Sequence, residues 1–171
     1  RAHVLGPVRR RPEEVVELLD ECTNEMQRRL DVFGRSDARD LTEYNRQSDP
    51  SQRFPWWVVV LDEYSFLTRN PQDKKVIENK LGGLAEMARS SGIHVIVATQ
   101  KPSAEVISTT IRSNLPAQLA LRVKTSSDSK VIMDQTGAET LAGKGDAFLN
   151  TAQRLTRVQC ARVRGDYSSQ D

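Results

Sequence analysis

Apolar residues return along the chain in two rhythms, one suited to helices and one to buried strands. Over residues 12–30, Val15, Leu18, Leu19, Cys22, Met26 and Leu30 recur at helical spacing and define one face. Pro12 opens this helix, Glu13 and Glu14 stand at the positive end of its dipole, and Arg28 and Arg29 stand at the other end. A second stripe of Ile77, Leu81, Leu84, Ala85 and Ala88 predicts a helix over 74–89, with Gly92 as its stop. Between and after the helices run the near-continuous apolar segments 58–61 and 93–98. The first suits a strand buried on both faces, as in a parallel sheet, and the second has the same character. Shorter signals predict a strand and turn at 2–8, a helical piece at 41–44 and a turn-rich loop at 49–53. They continue with a helix at 104–112, a strand at 118–123, a helical turn at 127–134, and strands at 147–149 and 156–163. No internal repeat or low-complexity stretch interrupts this order.

Both apolar segments end abruptly in polar groups. Val58-Val59-Val60-Leu61 runs into Asp62-Glu63, and Ile93-His94-Val95-Ile96-Val97-Ala98 runs into Thr99-Gln100. Two parallel strands joined by one helix form a βαβ unit, and the C-terminal tips of such strands face one crevice where open α/β sheets place ligands. An acidic pair there meets the needs of a Walker B motif: Asp62 to hold Mg²⁺, usually through water, and Glu63 to polarise the attacking water. Gln100 supplies a neutral amide that can sense a γ-phosphate or orient the water. The plainer reading is a core strand with a solvated acidic turn and an ordinary loop start. The matched strand ends favour a nucleotide hydrolase.

The phosphate cradle of such an enzyme is a glycine-rich loop, G-x-x-x-x-G-K-S/T, between a strand and a helix. No segment of this sequence has that form. The nearest is Ala138-Glu139-Thr140-Leu141-Ala142-Gly143-Lys144-Gly145, where Gly145 has no hydroxyl for a metal and no apolar strand leads in. It reads as a glycine-rich turn. The expectation is therefore a chain that starts after the phosphate loop, or one that does not hydrolyse nucleotide by itself.

Composition narrows the class. A length of 171 residues suits one domain, over 1–171, with a sizeable core. A net charge of +2 does not by itself specify a nucleic-acid partner. Arg9-Arg10-Arg11 and Arg154, Arg157, Arg162 and Arg164 are local basic clusters that read equally well as solvated faces. Cys22 and Cys160 lie far apart without a CxxC, as expected of reduced thiols in a cytosolic protein. The apolar run 56–61 is too short to span a bilayer and no signal peptide is evident. Any attachment to the inner face of a membrane is expected from segments outside this chain.

Read in order, Asn24-Glu25-Met26-Gln27-Arg28-Arg29, Tyr44-Asn45, Asp62-Glu63 and the stretch from Ala88-Arg89-Ser90-Ser91-Gly92 to Thr99-Gln100-Lys101-Pro102-Ser103 resemble the motor domain of FtsK/SpoIIIE DNA translocases. The ladder continues through Val106-Ile107, Ile111-Arg112-Ser113-Asn114-Leu115-Pro116, Asp128-Ser129-Lys130, Asp134-Gln135, Gly137-Ala138-Glu139 and Gly145-Asp146. It is collinear and covers nearly the whole chain. The resemblance implies an α/β, RecA-like P-loop NTPase core with a mostly parallel sheet flanked by helices. It also implies a hexameric ring of copies of the same protein that uses ATP and Mg²⁺ to move double-stranded DNA through a central channel.

Carried over by position, the resemblance places Asp62 and Glu63 on the Walker B pair, with Asp62 the metal partner. Gln100 falls on the sensor position beside Thr99 in the nucleotide site. Arg89 falls on an arginine before the second strand, a finger for a neighbour's ATP; a helix-end cation is its other reading. Lys101 and Lys130 match positions usually held by arginine on channel-facing loops, where a lysine neutralises a phosphate without the bidentate fork. The segment between Asn45 and Trp56 is shorter than usual, Gln118 stands for an arginine, and Tyr64-Ser65 stands for Phe-Ala. These departures suggest a divergent branch, a conjugative-element or plasmid-transfer translocase and not a housekeeping one, with chromosome segregation the other process that the resemblance allows. Competing readings are a type VII-like protein-secretion ATPase, a DEAD-type helicase lobe and a non-hydrolysing assembly module. The helicase would be expected to carry Ser-Ala-Thr where Ala98-Thr99-Gln100 stands.

Overall fold

The computed structural model of the protein describes residues 3–151 and 153–162. The chain divides into two compact units, before and after the junction of Lys101 and Pro102.

The first unit is built on a long helix. Helix α1 (Pro12–Arg35) starts at Arg11, where the Glu14 carboxylate closes back onto the backbone N–H groups of Arg10 and Arg11 at 2.8 and 3.1 Å. Its buried stripe is Val15, Leu19, Cys22, Met26, Arg29 and Phe33. The helix therefore runs past the expected end at residue 30, because Phe33 extends the stripe by one more turn. Helix α2 (Leu41–Gln47) follows, capped by Asp40, whose Oδ1 accepts from Glu43 N at 2.9 Å. Phe33, Tyr44 and Phe54 form an aromatic cluster with ring centroids 5.1 to 6.1 Å apart.

Strand β1 (Trp57–Leu61), helix α3 (Tyr64–Leu67), helix α4 (Pro71–Ser91) and strand β2 (Ile93–Val97) complete the first unit. The strands pair in parallel, from Trp57 opposite Ile93 to Leu61 opposite Val97, with α4 as the crossover. Gly92 ends α4 at φ 76°, and a side chain there would meet Leu41 Cδ2 at 2.1 Å. Helices α1 and α4 pack together, and Lys80 of α4 pairs with Asp20 of α1.

The expectation that β1 is buried on both faces is corrected. Val59 and Leu61 are buried, whereas Val58 and Val60 are 57% and 56% exposed and Ile96 of β2 is 50% exposed. Side chains alternate across a strand, and among the described residues one face of the pair stays open. Trp56 stacks on His94 at the edge of this open apolar face, with ring centroids 5.2 Å apart.

The second unit contains α5 (Thr109–Asn114), β3 (Gln118–Leu121), α6 (Ser126–Met133), β4 (Asp146–Asn150) and β5 (Leu155–Gln159). Its strands form an antiparallel meander in the order β3-β4-β5. Ala120, Met133, Ala138 and Leu141 make its core, with Val123, Ile132 and Phe148 packed around them. Asp146 accepts from Ala142 N at 2.7 Å and pairs bidentately with Arg157, at 2.9 and 2.7 Å. Its carboxyl is thereby drawn down from 3.8 to about 2, chiefly by Arg157 and then by the Ala142 amide.

The mostly parallel sheet expected from the sequence is thus corrected to a mixed arrangement, a parallel pair and an antiparallel triplet. The link between β4 and β5 is too short for a crossover and permits only an antiparallel hairpin. The helix expected at 104–112 forms later, where Ser108 Oγ caps α5 by accepting from Ile111 N at 3.3 Å. Residues 3–8 form no strand. Strand β5 ends at Gln159, and Ala2, Val163 and Arg164 lie outside the described residues. Cys22 and Cys160 are free thiols. Among the described residues no helix is long and apolar enough to cross a membrane.

Candidate functional site

The two strand tips named by the sequence meet. Ala98 N donates to Leu61 O at 2.9 Å, and Tyr64 N donates back to Ala98 O at 2.8 Å. These bonds continue the parallel ladder past both strands and turn the chain sharply into α3. The turn falls on Glu63, which adopts a left-handed conformation at φ 49°, ψ 57°. A non-glycine residue there costs roughly 1–3 kcal/mol and persists only where its surroundings hold it. They do: Tyr64 is fully buried, and Glu63 O accepts from Phe66 N at 2.8 Å. Burial raises the Tyr64 phenol above its ordinary range.

Asp62 is exposed and Glu63 half-buried. Asp62 Oδ1 accepts from Glu63 N at 3.0 Å, and Ser65 Oγ donates to Glu63 Oε1. Across the junction, Thr99 Oγ1 accepts from Lys101 N at 3.1 Å, while Gln100 and Lys101 project to solvent. Asp62, Glu63, Thr99, Gln100 and Lys101 therefore share one end of the parallel pair.

Arg89 does not join them. It sits in the last turn of α4, at the end where β2 begins, so its own acidic pair is roughly 16 Å away by strand rise. It is exposed and makes no ion pair among the described residues. Lys130 lies in the second unit and on helix α6, not on a loop as expected; it is exposed there. Of the basic clusters, Arg9 pairs with Glu21, Arg11 with Glu14 and Arg157 with Asp146, which leaves Arg10, Arg154 and Arg162 as exposed cations among the described residues.

The donor set fits a weakly held, hydrated Mg²⁺. Among the described residues no three acidic, histidine or cysteine side chains gather as a metal cage. Mg²⁺ keeps several waters and is usually held by one or two carboxylates plus substrate phosphates. Asp62, with Oδ1 on the Glu63 amide and Oδ2 without a hydrogen-bond partner among the described residues, suits that sharing. The Gly143-Lys144-Gly145 segment is three successive left-handed residues. It leads into strand β4, so it lacks the helix N-terminus that a phosphate loop uses.

Two side chains shape this region through contacts that their places in the sequence did not indicate. Arg29 is fully buried, pairs with Glu25 at 2.8 Å and donates to Pro55 O and Ser91 O at 2.9 and 3.0 Å. It thereby ties α1 to the entry of β1 and the end of α4. The signal was its place on the stripe Cys22, Met26, Arg29, Phe33. Asn45 clamps Phe54 through both backbone groups, at 2.8 and 2.9 Å, and carried no such signal beyond its neighbour Tyr44.

No protein-family model matches the chain. It is 36% identical over 167 residues to the DNA translocase FtsK of Clostridium acetobutylicum, covering 94% of this chain and 21% of that protein. It is 37% identical over 169 residues to the DNA translocase FtsK of Staphylococcus epidermidis, covering 93% and 21%. The chain thus spans about a fifth of the length of the curated relatives it matches. Among solved structures, the pCW3 conjugation coupling protein TcpA with ATPγS aligns with a TM-score of 0.77 at 24% identity, over 86% of this chain and 44% of TcpA. The cytoplasmic domain of the type VII secretion ATPase EccC of Thermomonospora curvata aligns at 0.69 and 23%, over 88% and 18%. These alignments identify a small α/β fold of the RecA-like ATPase kind. With identity to FtsK translocases running along nearly its whole length, the chain is at the family level a homologue of the FtsK/SpoIIIE-type translocases.

Proposed function

We propose that this chain is the Walker B portion of an ATP-driven, FtsK/SpoIIIE-type translocase that moves double-stranded DNA. The observation that carries the reading is the junction at Ala98, which sets Asp62-Glu63 and Thr99-Gln100 at one end of the parallel pair. In this reading the phosphate loop comes from residues outside this sequence, and the chain alone is inactive. Asp62 offers its free oxygen to hydrated Mg²⁺, which would neutralise charge on the β- and γ-phosphates. Glu63 orients and polarises the attacking water, and Gln100 with Thr99 senses the terminal phosphate. Arg89, remote from its own acidic pair, serves a neighbouring subunit's nucleotide in a hexameric ring. Lys101 and Lys130 touch DNA phosphates in the channel without reading sequence. Any membrane anchor belongs to other segments.

In the intact protein, Glu63→Gln should retain ATP binding and lower turnover by about 10²–10⁴-fold, the usual range for a lost general base. Unchanged turnover would reduce Glu63 to a surface carboxylate. A second reading, a protein-secretion ATPase, draws support from the fold shared with EccC. It predicts that duplex DNA leaves the ATPase rate of the intact protein unchanged, whereas the translocase reading predicts stimulation.

A further inference from the structure

We propose that Ser65 is a positioning residue for Glu63, fixing one carboxylate oxygen so that the other is presented to the attacking water. The proposal rests on the reading of Glu63 as the water-polarising group. Ser65 Oγ donates to Glu63 Oε1, while Oε2 has no hydrogen-bond partner among the described residues. The hydroxyl carries a single proton and spends it on Oε1, which leaves Oε2 as the oxygen able to accept from water.

The scaffold beneath Ser65 makes this contact more than a passing surface bond. Ser65 stands in α3 between Tyr64, fully buried and bonded through its amide to Ala98 O, and Phe66, whose amide returns to Glu63 O. The left-handed backbone at Glu63 is locked by the same bonds. The backbone therefore fixes where the Glu63 side chain begins, but not where it ends. A glutamate has three rotatable side-chain bonds, and a partly exposed one samples many orientations unless something holds its tip. Ser65 is the group that holds it. Catalytic orientation is sensitive to displacements of about an ångström, so loss of this bond is felt in turnover and not in nucleotide affinity.

The test uses the intact protein for kinetics and this chain, labelled with ¹³C at glutamate Cδ, for spectroscopy. Ser65→Ala should lower kcat about tenfold with KM for ATP and nucleotide affinity unchanged, and Ser65→Thr, which keeps the hydroxyl, should restore kcat. Alanine is a good helix former, so α3 is not threatened. The Glu63 carboxyl resonance should move in Ser65→Ala and stay in place in Ser65→Thr. A kcat that is unchanged or raised in Ser65→Ala would overturn the proposal; a rise would mean that the hydroxyl holds the carboxylate away from water. A resonance that does not move would overturn it as well. Glu63→Gln measured alongside separates the two levels. If Glu63→Gln leaves turnover intact, the role of Glu63 fails and that of Ser65 with it. If Glu63→Gln abolishes turnover while Ser65→Ala does not reduce it, the positioning role alone fails.

Discussion

The buried guanidinium of Arg29 donates from Nη1 to the backbone carbonyl of Ser91 at 3.0 Å, joining α1 to the last turn of α4 across 62 residues of sequence. The same nitrogen reaches Pro55 O at 2.9 Å, and the guanidinium lies over the rings of Trp57 and Phe54, at 4.9 and 5.4 Å. One side chain thus sets the start of β1 against the turn into β2, and so the relative placement of the two strands whose far ends carry the candidate site. Arg29→Met should remove about 3 kcal/mol of stability, because the buried Ser91 carbonyl and the Pro55 carbonyl lose their donor and Glu25 keeps only Arg28. Arg29→Lys should recover only part, since an ammonium lacks the fork that spans these partners. Urea unfolding of the chain measures both, and a loss below about 0.5 kcal/mol for Met, the range of surface changes, would mean Arg29 is a bystander.

Gly92 is held at φ 76° with Leu41 against its α-carbon. Gly92→Ala should destabilise by roughly 1–2 kcal/mol from the left-handed backbone alone, and by more if Leu41 cannot move aside. Leu41→Ala in the same chain should cost less in the Gly92→Ala background than in the parent, because the two side chains compete for one space. Strict additivity in the unfolding free energies would contradict the close approach.

Asp146 gives the second unit an acid limit. Its folded-state value of about 2 lies below the ordinary 3.8, so its contribution is fully present above pH 4 and is lost as pH falls towards 2. Carboxyl resonances of the chain should place the Asp146 midpoint near 2. Asp146→Asn should flatten the acid side of the stability curve over that window. A midpoint near 4 would show that the Arg157 pair does not persist in solution.

Arg89 lies at the opposite end of the strands from its own acidic pair, a placement that suits action in trans. In the intact protein Arg89→Ala should abolish hydrolysis with assembly and nucleotide binding preserved. Mixed with Glu63→Gln, it should regain some activity, because each variant spoils a different side of one interface. Mixtures no more active than either parent would count against an intersubunit site.

Lys101 and Lys130 are exposed cations in separate units. Replacing both by Ala in the intact protein should weaken binding to unrelated duplexes about equally. It should also reduce the slope of log affinity against log salt by about one for each DNA phosphate left without its lysine. An identical slope in parent and variant would remove both lysines from the DNA path.

The sequence alone determined the features set by local chemistry. The α1 and α4 stripes, the stop at Gly92, and the two apolar runs closing on Asp62-Glu63 and Thr99-Gln100 each follow from side-chain period, backbone conformation or residue type within a short window. So did the family, because a collinear ladder of polar and glycine positions is itself sequence information. Tertiary structure alone decided which faces of those elements were covered and which distant groups met. Val58 and Val60 read as core residues, yet they face outward, because hydropathy records what a side chain favours and not whether a helix lies over it. Arg29 read as a dipole cation, yet it is buried, because only folding brings Pro55 O and Ser91 O within its reach. The sheet read as mostly parallel, yet the strands after residue 102 pair antiparallel, because an apolar run does not encode the direction of its neighbour. Pairing direction is fixed by the connection, a crossover helix at α4 and a short link between β4 and β5.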